Sequence, residues 1–400
     1  MKFNKWTVGL AALGVVSLTS AVRADEAKMS QVQTALSNTT LSGYVDVSAQ
    51  FNPAGGGGAP LYTYGSSSFA KANGINLNVV DIALDKPEDE SPWASGYHVE
   101  LWLGPDGSAL GIGNGLRQAY ITLRTPVGNG IDWKVGVFDT IIGYEGSTSG
   151  SNPNYSHSFG FNIEPTTHTG ILATYKVCDT VSIQAGIADT AYAGFGGYTA
   201  TPNTALYLPT VMGMITLTAP DNFGWAKGGT FAVGVIDSPG NTGGFTGDGG
   251  NGATSLYAGL VIPTPNANLK FGAAFDYLNA RDVSGNTWTA ALYGTFQATD
   301  KLSLNLRAEY LDAGGNEAYF GGTSVNGGEF FTGGGFGVAP GGDQQAQELT
   351  ATVQYSLWAN VLTRLEFRWD HVNHGNGFAS AAGSLQQDAF MLAAQAIYTF

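Results

Sequence analysis

Cysteine is nearly absent: the chain has one, Cys178, so no intramolecular disulfide can form and a disulfide-stapled scaffold is excluded. Charge is scarce, at 12% of 400 residues, against roughly 25% in soluble globular domains. Basic residues are the scarcest part of it, 17 against 31 acidic ones. Such a chain has no basic surface to neutralise phosphates, which argues against nucleic acid as a partner. After the first two dozen residues no stretch reaches the run of about 18 apolar residues that a membrane-spanning helix needs. Catalytic signatures are missing as well, with no GxSxG elbow and no phosphate-binding P-loop.

Two motifs that remain are weak. His371 and His374 have HxxH spacing, but at a strand end, where successive side chains point to opposite faces. A metal needs three or four converging ligands, so no metal is expected there. The run GDGGNG (247–252) fits the dinucleotide-binding glycine pattern, yet strand-like ATSLYAGLVI follows it where a helix is required. No cofactor is expected.

What the chain does have is glycine, 58 residues of it, with 12% aromatics and 43% apolar residues. That apolar content argues against disorder. The N-terminus reads as a secretory leader: Lys2 and Lys5, an apolar run from Trp6 to Leu18, and Val22-Arg23-Ala24 before Asp25. Cleavage after residue 24 leaves 14 basic against 31 acidic residues, a mature net charge of −17. Residues 25–38 stand apart, with Met29, Val32 and Leu36 at roughly helical spacing, and are expected as a short periplasmic segment. The region 39–400 is expected as one β domain.

Alternation with period two recurs through that region. Val45, Val47, Ala49 and Phe51 alternate with Tyr44, Asp46, Ser48 and Gln50. The same pattern runs through 118–124, 132–137, 302–310 and 348–355, and places Leu365, Phe367 and Trp369 between Arg364, Glu366, Arg368 and Asp370. Connections alternate too. PVGNG (126–130), VCDT (177–180), PTPNAN (263–268), ATDKLS (298–303) and SLWAN (356–360) are short. Between them fall long glycine-rich stretches at 52–73, 139–167, 189–209, 237–252, 312–346 and 371–387. Short turns on one side and long loops on the other predict an all-β fold, a closed antiparallel transmembrane barrel of about 16 strands. Closure removes the sheet edges that lipid cannot satisfy.

Aromatics fall at the ends of the apolar faces: Phe51, Tyr277, Tyr310 and Trp369 toward one rim, and Trp133, Tyr175, Phe296, Tyr355 and Phe400 toward the other. Two girdles suit rings that are half apolar and half polar at a lipid–water boundary, with outer-membrane lipid as the partner. The final apolar face runs Phe390, Leu392, Ala394, Ala396, Tyr398, Phe400. A last strand ending in an aromatic resembles the signal by which barrels are handed to the barrel-assembly machinery, here through Phe400.

Four segments carry a family likeness: LSGYVDVSAQFNP (41–53), VGNGIDWKVGVFDTIIGYE (127–145), GSNPNYSHSFGFNIEPTTHTGILATY (150–175) and LTAPDNFGW (217–225). They resemble the OmpL-like outer-membrane porins of the β-barrel porin-2 family, most densely over 40–225. The resemblance implies a bacterial outer-membrane pore through which small hydrophilic solutes or ions diffuse passively. It names no solute. An outer-membrane barrel enzyme of lipase or protease type, and an adhesin or structural anchor without transport, are the alternatives. A homo-oligomer is left open.

In general porins the third outer loop folds into the barrel, so by resemblance 139–167 is expected to narrow the lumen. After Asp139 it holds two charges, Glu145 and Glu164. From the wall, charges of both signs are expected to face it: Asp46, Glu100, Arg307, Glu309, Glu366 and Arg368. Loop carboxylates opposite wall arginines would set a transverse field across the constriction, and the mature charge points to a modest preference for cations.

Overall fold

The computed structural model describes residues 39–52, 73–109, 115–189, 209–238, 252–280, 286–314, 344–374, 378–379 and 385–400. The expected leader (1–24), the segment 25–38 and the glycine run 247–251 lie outside the described residues.

Sixteen antiparallel strands close into one barrel. The first eight are β1 (Thr40–Phe51), β2 (Gly74–Lys86), β3 (Ser95–Leu103), β4 (Leu116–Thr125), β5 (Ile131–Asp139), β6 (Thr167–Lys176), β7 (Val181–Ala188) and β8 (Thr210–Thr218). The second eight are β9 (Thr230–Ser238), β10 (Ala253–Pro263), β11 (Leu269–Ala280), β12 (Thr287–Gln297), β13 (Leu302–Ala313), β14 (Gln344–Trp358), β15 (Val361–His374) and β16 (Asp388–Thr399). Each strand pairs with its neighbour in chain order, and β1 closes on β16, with Val45 opposite Tyr398 and Ala49 opposite Ala394. The seam extends to the last residue, where Gly43 and Phe400 exchange backbone hydrogen bonds of 3.2 and 3.0 Å.

The expected alternation of short and long connections holds, with additions. Residues 87–94 and 219–229 are further connections on the short-turn side, and 104–115 is one on the loop side. SLWAN contracts to a two-residue turn, 359–360, because Ser356–Trp358 stay in β14. Cys178 is exposed in the 177–180 turn.

Faces follow the pleat. Leu304 and Leu306 point outward while Ser303, Asn305 and Arg307 are buried inside. The aromatics assigned to both rims all lie on the outward parity. No described helix is long and apolar enough to cross a membrane. The barrel crosses with strands of about ten residues, the length a tilted strand needs.

The interior has two unlike sides. On β1–β4 and β13–β15 charged and polar residues face inward in number, among them Asp46, Asp81, Glu100, Arg117, Glu348 and Asp370, beside a smaller apolar cluster of Tyr44, Val79, Trp102 and Ile397. On β6–β12 they are largely apolar: Leu172, Met212, Met214, Ile236, Tyr257, Ala274 and Tyr293 form one buried cluster.

Candidate functional site: the interior segment 139–167

The connection from β5 to β6 runs inside the barrel, and each side of the interior holds it by different chemistry. Along the apolar side, Ile141 and Ile142 join the Leu172–Tyr293 cluster. Tyr144 stacks on Tyr293 with ring centroids 3.9 Å apart. It does so above Gly272 of β11, where any Cβ would lie 2.0 Å from the Tyr144 hydroxyl. Gly143 turns the chain there at φ +113°, and a side chain at that position would collide with Glu164 as well. Removing these side chains from water is the driving force on this side.

On the polar side the segment is held by its backbone. Carbonyls of Ser149 and Asn152 accept from Arg364, at 2.9 Å for Ser149. Those of Ser156 and His157 accept from Arg307 at 2.8 and 3.1 Å, and His157 accepts from Arg368 at 2.6 Å. Amides go to carboxylates. Tyr155 and Ser156 donate to Glu366 at 2.6 and 2.9 Å. Phe159 and Gly160 donate to Glu309 at 2.5 and 2.7 Å. Side chains add Asn154 to Thr352 at 2.7 Å, and the Tyr155 hydroxyl to Ser48 and Gln50 on β1. Charge-assisted bonds of this kind are the strong class, and they satisfy backbone groups that a non-helical segment cannot satisfy itself.

Glu145 lies at the junction of the two sides. Its carboxylate meets Arg307 at 2.7 Å, His157 Nδ1 at 3.0 Å, the Ser158 amide at 3.1 Å and the Tyr293 hydroxyl at 3.2 Å. Burial works against its charge, but Arg307 and His157 overcome that and hold its pKa down to about 2. Arg307 in turn spans Glu145 and Glu348, the latter at 2.5 Å. Arg368 reaches Asp370 at 2.9 Å and Glu348 at 3.4 Å.

A short helix, α1 (Phe159–Ile163), is capped by the Ser158 hydroxyl, which accepts from the Phe161 amide at 3.0 Å. It delivers Glu164 to the Asp276 side of the barrel. Burial, and then the Asp276 charge, raise the Glu164 pKa well above the ordinary carboxylate range, so it is the proton-bearing member of a carboxyl pair.

The eight candidates therefore sort into groups. Glu145, Arg307, Glu309, Glu366 and Arg368 converge on residues 152–160. Glu100 belongs to a second cluster, where it binds Arg117, the Trp102 indole at 3.0 Å and Gln118 at 2.6 Å. Arg117 continues to Asp139 at 2.7 Å. Asp46 sits among amides, accepting from Asn78 at 2.9 Å and Gln395 at 2.8 Å. Two expectations change. The loop carboxylate Glu145 touches its wall arginine, so the pair is a direct contact, with no open water between. Glu164 faces Asp276 and no arginine, because α1 rotates it away from β13–β15. Arg364, Arg117 and Glu348 were missed; their only sequence signal was inward parity on a strand.

His157 on Glu145 has the look of a histidine–acid dyad. Its serine neighbours are engaged elsewhere: the Ser156 hydroxyl accepts from Arg307 and Arg368, and Ser158 caps α1. Among the described residues no group of three or more His, Cys, Asp or Glu is placed to hold a metal ion.

Space remains between the segment and the β2–β6 wall. A cavity of about 270 Å³ is lined there by Asp81, Glu100, Arg117, Tyr120 and Lys134 from the strands and by Tyr144 from the segment.

A family model, beta-barrel porin-2, OmpL-like, matches residues 38–400. No curated protein matches the sequence. Among solved structures, the chain is similar to an anion-selective porin from Comamonas acidovorans at TM-score 0.56 and 10% identity, covering 90% of this chain and 99% of that one. It is similar to OmpF of Salmonella typhi in complex with daunomycin at TM-score 0.56 and 12% identity, covering 90% and 97%. The trimer form of OmpT, an outer membrane protein of Vibrio cholerae, gives TM-score 0.53 at 14% identity, covering 90% and 99%. At such identities the likeness shows the fold alone.

Proposed function

The chain belongs to the OmpL-like β-barrel porin-2 family, an outer-membrane channel family, and from that premise we propose that it passes small hydrophilic solutes and ions by passive diffusion, with 139–167 as the constriction. The observation that carries this reading is the fixing of 149–160 by Arg307, Arg364, Arg368, Glu309 and Glu366. A connection tied at this many points stands as a permanent partition, and solute takes the space it leaves, along β2–β6.

The same clasp bears on selectivity. Three buried wall arginines spend most of their donors on loop carbonyls and buried carboxylates, so they offer little to a passing anion. The cavity beside them carries Asp81, Glu100, Asp139 and Glu145 against Arg117 and Lys134. Charges in narrow water sort ions by sign, and the sign here favours cations. Removal of residues 1–24 on export, assembly into a homo-oligomer and insertion guided by Phe400 complete the proposal.

Planar-bilayer recording tests it. Purified barrel should give stepwise conductance and a reversal potential of the cation-selective sign in a salt gradient. Absence of conductance would remove the channel, and an anion-selective potential would remove the charge argument.

A further inference from the structure

Arg117 and Lys134 both line the cavity, and the wall holds them differently. Arg117 lies between two carboxylates, bonding Glu100 and, at 2.7 Å, Asp139. The acids of this cluster outnumber its guanidinium, so it draws cations. Lys134, inward on β5, has no carboxylate among the described residues within ion-pair distance. Its ammonium stands 4.7 Å from the centroid of the Tyr120 ring. A ring quadrupole attracts a cation but carries no net charge, so this contact positions the ammonium without neutralising it.

The register explains the isolation. Lys134 lies opposite Thr122 on β4 and Leu172 on β6, and neither can offset its charge. The two cations also come in a fixed order. β5 runs from the short-turn side to the loop side, ending at Asp139. Lys134 stands five residues before that end, about 16 Å along the strand at about 3.3 Å per residue. An ion entering from the loop side meets the acidic cluster first and the bare ammonium second.

We propose that Lys134 is a valence filter, a specificity-determining residue that lowers the passage of divalent cations relative to monovalent ones. The proposal rests on reading the cavity as the solute path. The energy of an ion beside a fixed charge scales with the ion's own charge. Repulsion of a divalent cation by the ammonium is therefore twice that of a monovalent one, and its effect on occupancy is the square. The Arg117 cluster alone would enrich divalent cations most. An ammonium without an ion pair, placed after it, offsets that enrichment and acts on charge without regard to size.

Planar-bilayer recording of the full barrel tests this, with potassium chloride on one side and calcium chloride on the other. The reversal potential gives the calcium-to-potassium permeability ratio. One unit charge at about 4 Å in water changes occupancy about fivefold for a monovalent ion and about twenty-fivefold for a divalent one. Lys134→Gln should therefore raise the ratio about fivefold over wild type, and Lys134→Arg should keep it. Lys134→Met, which retains the aliphatic stem, gives the same reading should the amide variant fail to insert. Entry of a neutral polyol, measured by liposome swelling, should be equal in all of these barrels. Neutral variants that conduct with the wild-type ratio would overturn the filter and leave the channel standing. A rise in polyol entry matching the rise in ion flux would also overturn it, since Lys134 would then act as a plug. Wild type without conductance removes the channel reading and the filter with it.

Discussion

The two sides of the interior hold the same segment by opposite means. Against β13–β15, residues 149–160 meet arginines and glutamates that take their carbonyls and amides one by one. Against β6–β12, residues 141–144 meet methionine, leucine, isoleucine and tyrosine with no such addressing. Hydrogen bonds are directional and set position, whereas apolar contact is indifferent to small shifts and supplies adhesion. The polar side therefore fixes where the segment stands, and the apolar side holds it down.

The largest effect should come from cutting the polar clasp at its centre. Arg307→Met leaves Glu145 with His157 alone and Glu348 with only its 3.4 Å contact to Arg368, and breaking a buried pair costs about 3–5 kcal/mol. Denaturant unfolding of the reconstituted barrel measures it; a loss below about 1 kcal/mol would mean that water takes over the arginine's role.

The apolar side should yield less per residue. Leu172→Ala and Ile236→Ala, both 2% exposed, should each cost about 2–4 kcal/mol, the range for large-to-small changes in a packed core. The same unfolding assay reads this. Near-zero losses would show that this wall is open to water and that Ile141 and Ile142 do not press on it.

Legibility in the sequence follows the same division. The alternation that reveals strands is clearest in β1, β4, β5 and β13–β15, most of which border the polar side, where inward and outward residues differ. In β8 the run Val211-Met212-Gly213-Met214-Ile215 is apolar on both faces, and the period disappears. That loss of contrast, beside a loop containing Ile141 and Ile142, was a readable hint of an apolar interior. The short connection 87–94 was missed because its Pro, Glu and Ser residues differ little in type from those of the longer loops. The clasp was not readable. Tyr155 and Glu366 are 211 residues apart, and nothing local in sequence specifies a contact across a barrel. Inward parity put Arg307 and Glu309 in the lumen; only the folded chain shows that they bind the segment's backbone.

The smallest effect sharpens the comparison at the seam between the two sides, where Glu164 meets Asp276. A carboxyl whose pKa is raised by folding has its full stability contribution below its ordinary value near 4.5 and loses it as pH rises through the raised value. Glu164→Gln cannot ionise. It should match wild type near pH 4 and become progressively the more stable of the two above that, by unfolding curves across pH. A variant that gains nothing as pH rises would place Glu164 in water.

The segment as a fixed partition is the centre of the account, and single-channel conductance of a barrel lacking residues 147–158 tests it most directly. With insertion verified by heat-modifiable electrophoretic mobility, the account predicts a higher unitary conductance and a larger solute cut-off than wild type. Conductance and cut-off unchanged from wild type would contradict it.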